Sequence, residues 1–229
     1  MHPLRSLALA AVLLPTAHAG EVSVAVAANF TAPMQKIAAQ FEQDTGHKAQ
    51  LSFGATGKFY AQIANGAPFG VLLAADDTTP EKIGKEGLGD GSTRFTYAIG
   101  QLVLWSKQPG YVDAEGKVLH KTDWQHIAIA NPKLAPYGRE AMRVLEQQNL
   151  AGPLTPRLVF GESISQTNQY IYSQAAELGF TAKSVVVSPE MRGKGRWLAI
   201  PPALYQPIEQ AMIVTRHGAA SQPEASQRF

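Results

Sequence analysis

Ser52-Phe53-Gly54-Ala55-Thr56-Gly57-Lys58 comes close to a phosphate-binding loop and then departs from it. A Walker A loop needs a glycine, four spacers, then Gly-Lys-Ser/Thr, because the final hydroxyl holds Mg²⁺. Here Phe59 follows Gly57-Lys58, and Ser52 stands where the first glycine belongs. The magnesium hydroxyl is missing and the loop is too short to cradle a nucleotide. What remains is a hydroxyl at Thr56, a glycine and a helix start, which suit a small anion. Three further turns are built in a similar way: Ala28-Asn29, Pro136-Tyr137-Gly138 and Ser163-Ile164. Each helix N-terminus leaves about four N–H groups without intrahelical acceptors and carries roughly half a positive charge. In open α/β sheets such turns lie at the carboxyl ends of strands, where ligands bind. Two facing lobes would let all four turns converge on one anion. Taken singly, Asn29, Thr56 and Ser163 also read as ordinary helix caps.

Neutral donors are enough for such a ligand. Hydrogen bonds to charged groups contribute about 1.5–3 kcal/mol each, so several oriented donors support micromolar binding, about −8 kcal/mol. They also discriminate by cavity size and protonation state, which a flexible lysine does poorly. Lys58 is therefore expected to point at solvent from the first helical turn.

Other chemistry does not assemble. Gly161-Glu162-Ser163-Ile164-Ser165 resembles a Gly-x-Ser-x-Gly nucleophile elbow until Ser165 replaces the second glycine, where a tight turn wants no side chain. His18, His47, His120, His126 and His217 are scattered without metal-ligand spacing. No acidic pair marks a general acid and base. Lys+Arg 20 against Asp+Glu 18 is nearly balanced, which argues against a nucleic-acid partner. Arg192, Lys194 and Arg196, spaced by glycine, read as a solvated loop.

Residues 1–19 read as a secretory signal peptide. Arg5 supplies the positive region, Leu7 to Leu14 the short apolar run, and Ala17-His18-Ala19 the cleavage signal. The run is shorter than the roughly 20 residues that span a bilayer. The chain would be secreted, with its mature part beginning near Gly20 in an oxidising compartment. The absence of cysteine is compatible with that compartment and contributes no disulfides.

The elements that must position the four turns alternate strand and helix. Val22 to Val26, Ala49 to Phe53 and Val71 to Ala75 are strands. Helices follow around Met34, Ile37, Ala38 and Phe41, then Tyr60 and Ile63, then Ile83, with stops at Gly46 and Gly66. Near Tyr97 the rhythm changes, and Ala98-Ile99 and Leu102 to Trp105 leave the first unit. Ile127 to Ala130 and Leu158 to Phe160 are strands that lead into helices. Leu178 to Phe180 and Val185 to Val187 are short apolar stretches, and Gln210 to Thr215 is a strand returning to the first unit. This predicts an α/β chain of two lobes, each a mostly parallel sheet flanked by helices. Residues 20–98 and 200–229 form the first lobe and 99–199 the second. Glu224 to Phe229 reads as a helix that stops early, which suggests a truncated C-terminus.

These turns, in this order behind a signal peptide, resemble the molybdate-binding periplasmic proteins of ABC importers. The resemblance runs from Val22-Ser23-Val24-Ala25-Val26-Ala27-Ala28-Asn29-Phe30 through Ala61-Gln62-Ile63-Ala64-Asn65-Gly66-Ala67-Pro68, Ala74-Ala75-Asp76 and Asn131-Pro132 to Pro136-Tyr137-Gly138. It implies a Venus-flytrap fold that closes over a tetrahedral oxyanion, molybdate or tungstate, with no other cofactor. It implies a monomer partnered by a membrane permease and its ATPase. Asn29 would be the first-turn donor and Thr56 the hydroxyl donor, both commonly Ser in relatives, with Ala28 adding backbone. Tyr137 and Ile164 would give main-chain N–H groups from the second lobe. Where many relatives place a Tyr hydroxyl this chain has Ala182, and the Asn29 amide would supply the missing donor. Phe69-Gly70 and Ala74 stand where relatives usually carry Ala-Asp and Ser. Two rival readings are a binding protein for sulfate, phosphate or a small organic anion, and a secreted hydrolase using Ser163.

Overall fold

β1 (Glu21–Ala27) is buried from Val24 onward, as a parallel strand covered on both faces must be. The computed structural model to which it belongs describes residues 20–121 and 123–229, so the expected signal peptide lies outside the described residues. After β1 a 3₁₀ turn at Ala28–Phe30 leads into α1 (Thr31–Thr45), which buries Met34 and Phe41. Gly46 ends that helix at φ 73°, the left-handed conformation that glycine adopts without a Cβ penalty. β2 (Lys48–Gly54), α2 (Thr56–Ala64), β3 (Val71–Leu73), α3 (Thr78–Lys85) and β4 (Phe95–Gly100) follow.

The chain then crosses into a second sheet. Its elements are β5 (Leu102–Ser106), β6 (Ile127–Ala130), α4 (Pro136–Gln147), α5 (Ala151–Leu154), β7 (Leu158–Gly161), α6 (Ile164–Tyr172), β8 (Leu178–Ala182), α7 (Lys183–Val186) and β9 (Arg196–Ala199). β10 (Ile208–Val214) returns to the first sheet, and α8 (Arg216–Ser221) and α9 (Pro223–Arg228) close the chain against it.

The two sheets share one plan. The first has the order β2-β1-β3-β10-β4 and the second β7-β6-β8-β5-β9. In each, three strands run parallel, and a fourth runs antiparallel to both its neighbours. That odd strand is the one that has just crossed between the lobes: β10 in lobe 1 and β5 in lobe 2. Each lobe is thus an α/β sheet with helices on its faces, the two-lobed binding-protein fold.

Several local expectations change. Val185 and Val186 lie in the short helix α7 and Val187 in the turn after it. The basic segment is only partly a loop, because Arg196 opens β9, which pairs with β5. Glu224 to Arg228 does form a helix, and Phe229 beyond it is not left bare. Its ring packs edge-on against Phe41, centroids 5.1 Å apart, a geometry that adds to simple burial. Among the described residues, no helix is long and apolar enough to cross a membrane.

Candidate functional site

All four turns meet between the lobes. β1, β2, β6 and β7 end on the same side of their sheets, and the turns that follow them face one another across the cleft. Ala28, Asn29, Thr56, Tyr137 and Ile164 all line a single cavity there. Its volume is about 10 Å³, against about 300–1,000 Å³ for sites that take drug-sized ligands. In this closed form it has no room for a sugar or nucleotide. Among the described residues no charged side chain lines it.

Lobe 1 presents side chains. Thr56 is 2% exposed and is the first residue of α2, after an N-cap at Ala55 that makes no capping bond. Its Oγ accepts from the Ala75 N–H at 2.9 Å, which leaves the hydroxyl hydrogen free to donate. Asn29 is equally buried and sits in the 3₁₀ turn, where it caps nothing. Its Nδ2 donates to Gln210 Oε1 at 2.6 Å, which leaves the second amide hydrogen uncommitted. Tyr97 backs this pair: its hydroxyl donates to the Ala74 carbonyl at 2.8 Å, and its ring packs on Phe30. Burial pushes the Tyr97 phenol well above its ordinary value, so it remains a neutral donor. The cap reading therefore fails for Asn29 and Thr56.

Lobe 2 presents helix starts. Tyr137 occupies the first turn of α4 behind Pro136, and Ile164 is the first residue of α6. N–H groups at these positions have no acceptor within their own helix. Gly138 lets α4 approach the end of β6, since a Cβ there would collide with the Ala130 carbonyl oxygen. The Tyr137 side chain turns toward Gly100 at the end of β4, and burial raises its phenol pKa. Ser163 does cap its helix: its Oγ accepts from the Gln166 N–H, and it is not among the residues lining the cavity. Ala182 is fully buried in the lobe 2 core.

The lobes are closed on each other. Gly57 N–H donates to the Leu134 carbonyl at 2.9 Å, and Ser184 Oγ donates to the Asn29 carbonyl at 2.6 Å. Lys58 does not point at solvent as expected; its Nζ pairs with Glu162 on the facing lobe. Arg139 of α4 reaches Asp76, just after β3, at 2.7 Å. Apolar contact is continuous as well, because Ala27, Ala28 and Ala75 join the buried core of lobe 2.

Gln210, Tyr97, Asp76 and Arg139 were missed as contributors by sequence reasoning. Nothing local marks them, since each acts on a partner far away along the chain. Among the described residues no cluster of three or more His, Asp or Glu forms a metal site.

Two α/β lobes closed over a small neutral cavity of helix starts define a solute-binding protein. The model for the bacterial extracellular solute-binding protein family matches residues 22–229. The molybdate-binding protein ModA of Azotobacter vinelandii is 54% identical over 91% of this chain and 83% of its own length. That of Rhodobacter capsulatus is 46% identical over 93% and 83%. A solved Azotobacter vinelandii periplasmic molybdate-binding protein superposes with a TM-score of 0.86 at 41% identity, covering 90% of both chains. The chain belongs to the bacterial extracellular solute-binding proteins, in the group of the molybdate-binding proteins.

Proposed function

We propose that this chain captures molybdate, and tungstate with it, between its two lobes in the periplasm. It then hands the oxyanion to the permease and ATPase of an ABC importer. One observation carries the reading: four helix-start turns from two lobes line one small cavity between them that is free of charged side chains. The high identity to named molybdate-binding proteins supports the same ligand. In this reading Thr56 donates its hydroxyl and Asn29 its spare amide hydrogen, with the backbone of Ala28 beside them. Tyr137 and Ile164 donate main-chain N–H groups from lobe 2. The anion is held by dipoles alone, so its double charge is met by several charge-assisted hydrogen bonds. Lobe closure is what brings both donor sets within reach, so the ligand shifts an open–closed equilibrium by binding the closed form better.

Thermal unfolding with added anions tests this. At 100 times its Kd a ligand adds about 2.7 kcal/mol of stability, a rise of roughly 5–10 °C for a chain of this size. Molybdate and tungstate are expected to produce it, and sulfate and phosphate are not. Equal shifts by all four anions would remove the selectivity, and no shift with molybdate would remove the function.

A further inference from the structure

We propose that Asp76 and Arg139 form a latch that sets how long the closed lobes retain their anion. This inference rests on the proposed function. Among the described residues two ion pairs cross between the lobes, Asp76–Arg139 and Lys58–Glu162. Both tie together the turns that line the cavity. Arg139 lies two residues after Tyr137 on α4, and Asp76 follows Ala75, whose N–H holds the Thr56 hydroxyl. Lys58 and Glu162 link the Thr56 turn to the Ile164 turn in the same way.

The two pairs differ in solvent access. The Asp76 side chain is 10% exposed and Arg139 46%, whereas Lys58 and Glu162 are 44% and 64% exposed. A pair that is open to water at both ends is screened and contributes little. The sheltered Asp76 carboxylate is not screened in this way, and it is also preorganised. Its Oδ1 accepts from the Thr79 N–H at 3.1 Å and its Oδ2 from Arg139. Opening the lobes separates the guanidinium from a carboxylate already fixed on lobe 1. Asp76–Arg139 is therefore the stronger of the two ties. Because the pair forms only on closure, it acts after the anion has been met, and it slows release without speeding capture. Arg139 is a positioning residue: it does not line the cavity and works through the lobes.

The chain has no cysteine, so Ala39→Cys on lobe 1 and Gln148→Cys on lobe 2 give two unique sites for a FRET pair. Loaded protein is diluted and lobe opening followed. Arg139→Gln is expected to raise the opening rate roughly ten-fold and to leave the association rate within two-fold. Arg139→Lys, which keeps the charge and loses the planar fork, should fall between. Asp76→Asn keeps a side-chain acceptor for Thr79 and should match Arg139→Gln, with no further effect in the double variant. An unchanged opening rate in Arg139→Gln with molybdate still bound would overturn the latch, as would a loss confined to the association rate. If the unsubstituted protein shows no molybdate response, the proposed function fails instead. The ligand-free population of closed lobes then decides the latch, and equal populations in the unsubstituted protein and Arg139→Gln overturn it.

Discussion

In lobe 1, Asn29 and Thr56 bring side chains to the cavity, each held by a group from another strand or its end: Gln210 on β10 and the Ala75 N–H after β3. In lobe 2, Tyr137 and Ile164 arrive as the first turns of α4 and α6, and on the proposed function what they offer is backbone. The two sheets have the same strand plan, so topology does not explain the contrast. A helix start offers N–H groups whatever its side chains are, whereas a side-chain donor must be oriented by a partner. Lobe 1 is therefore chemically exacting at particular residues. Lobe 2 is exacting about the placement of its helices and tolerant of what those helices carry.

The largest expected effect tests that placement. Gly138→Val forces a side chain against the Ala130 carbonyl and should cost about 3 kcal/mol or more of stability, read as a fall in Tm. A variant as stable as the parent would show that α4 does not need its close approach to β6. Next comes Thr56→Val, which keeps the shape and removes the hydroxyl. Losing a bond to a charged group costs about 1.5–3 kcal/mol, so molybdate affinity by calorimetry should drop roughly 10- to 150-fold. Unchanged affinity would take Thr56 out of the site. Gln210→Leu leaves Asn29 in place without its anchor. A drop of about five-fold in affinity is expected, corresponding to one neutral hydrogen bond. The smallest effect is the sharpest contrast: Ile164→Val should leave affinity within two-fold, because the main-chain N–H persists. A ten-fold loss there would break the comparison between lobes.

High pH offers a further handle on the buried phenols. Burial raises the pKa of both Tyr97 and Tyr137 above the ordinary value, so near and above pH 10 the folded state holds protons that the unfolded state has released. Their contribution is fully present below the unfolded value of about 10 and is lost as pH rises past it. Denaturant unfolding across that range should show stability falling, and Tyr97→Phe should reduce the slope.

Much of this site was legible because its parts are local. A strand end, a small or polar residue and a helix start lie within a few positions of each other at Ala28-Asn29, Thr56-Gly57, Pro136-Tyr137 and Ser163-Ile164. The alternation of strands and helices that implies two α/β lobes was equally plain. The partners that orient the site were not. Asn29 and Gln210 are 181 residues apart, and Lys58 and Glu162 are 104. Such pairings leave no periodic or compositional trace. β9 escaped notice for a related reason: Arg196–Ala199 is a short edge strand with an exposed start, and only its neighbour β5 makes it a strand.

By itself the sequence determined most of the strands, where the helices that follow the four turns begin, and that those turns carry neutral donors. These follow from hydrophobic period, proline and glycine placement, and side-chain inventory over a few residues. The tertiary structure alone decided that Lys58 is spent on Glu162, that Gln210 takes one hydrogen of Asn29, and that Asp76 meets Arg139 across the cleft. Each of those depends on how β10 returns to lobe 1 or on how the lobes close. Short-range preferences specify elements, but a contact between distant residues exists only once the sheets bring them together.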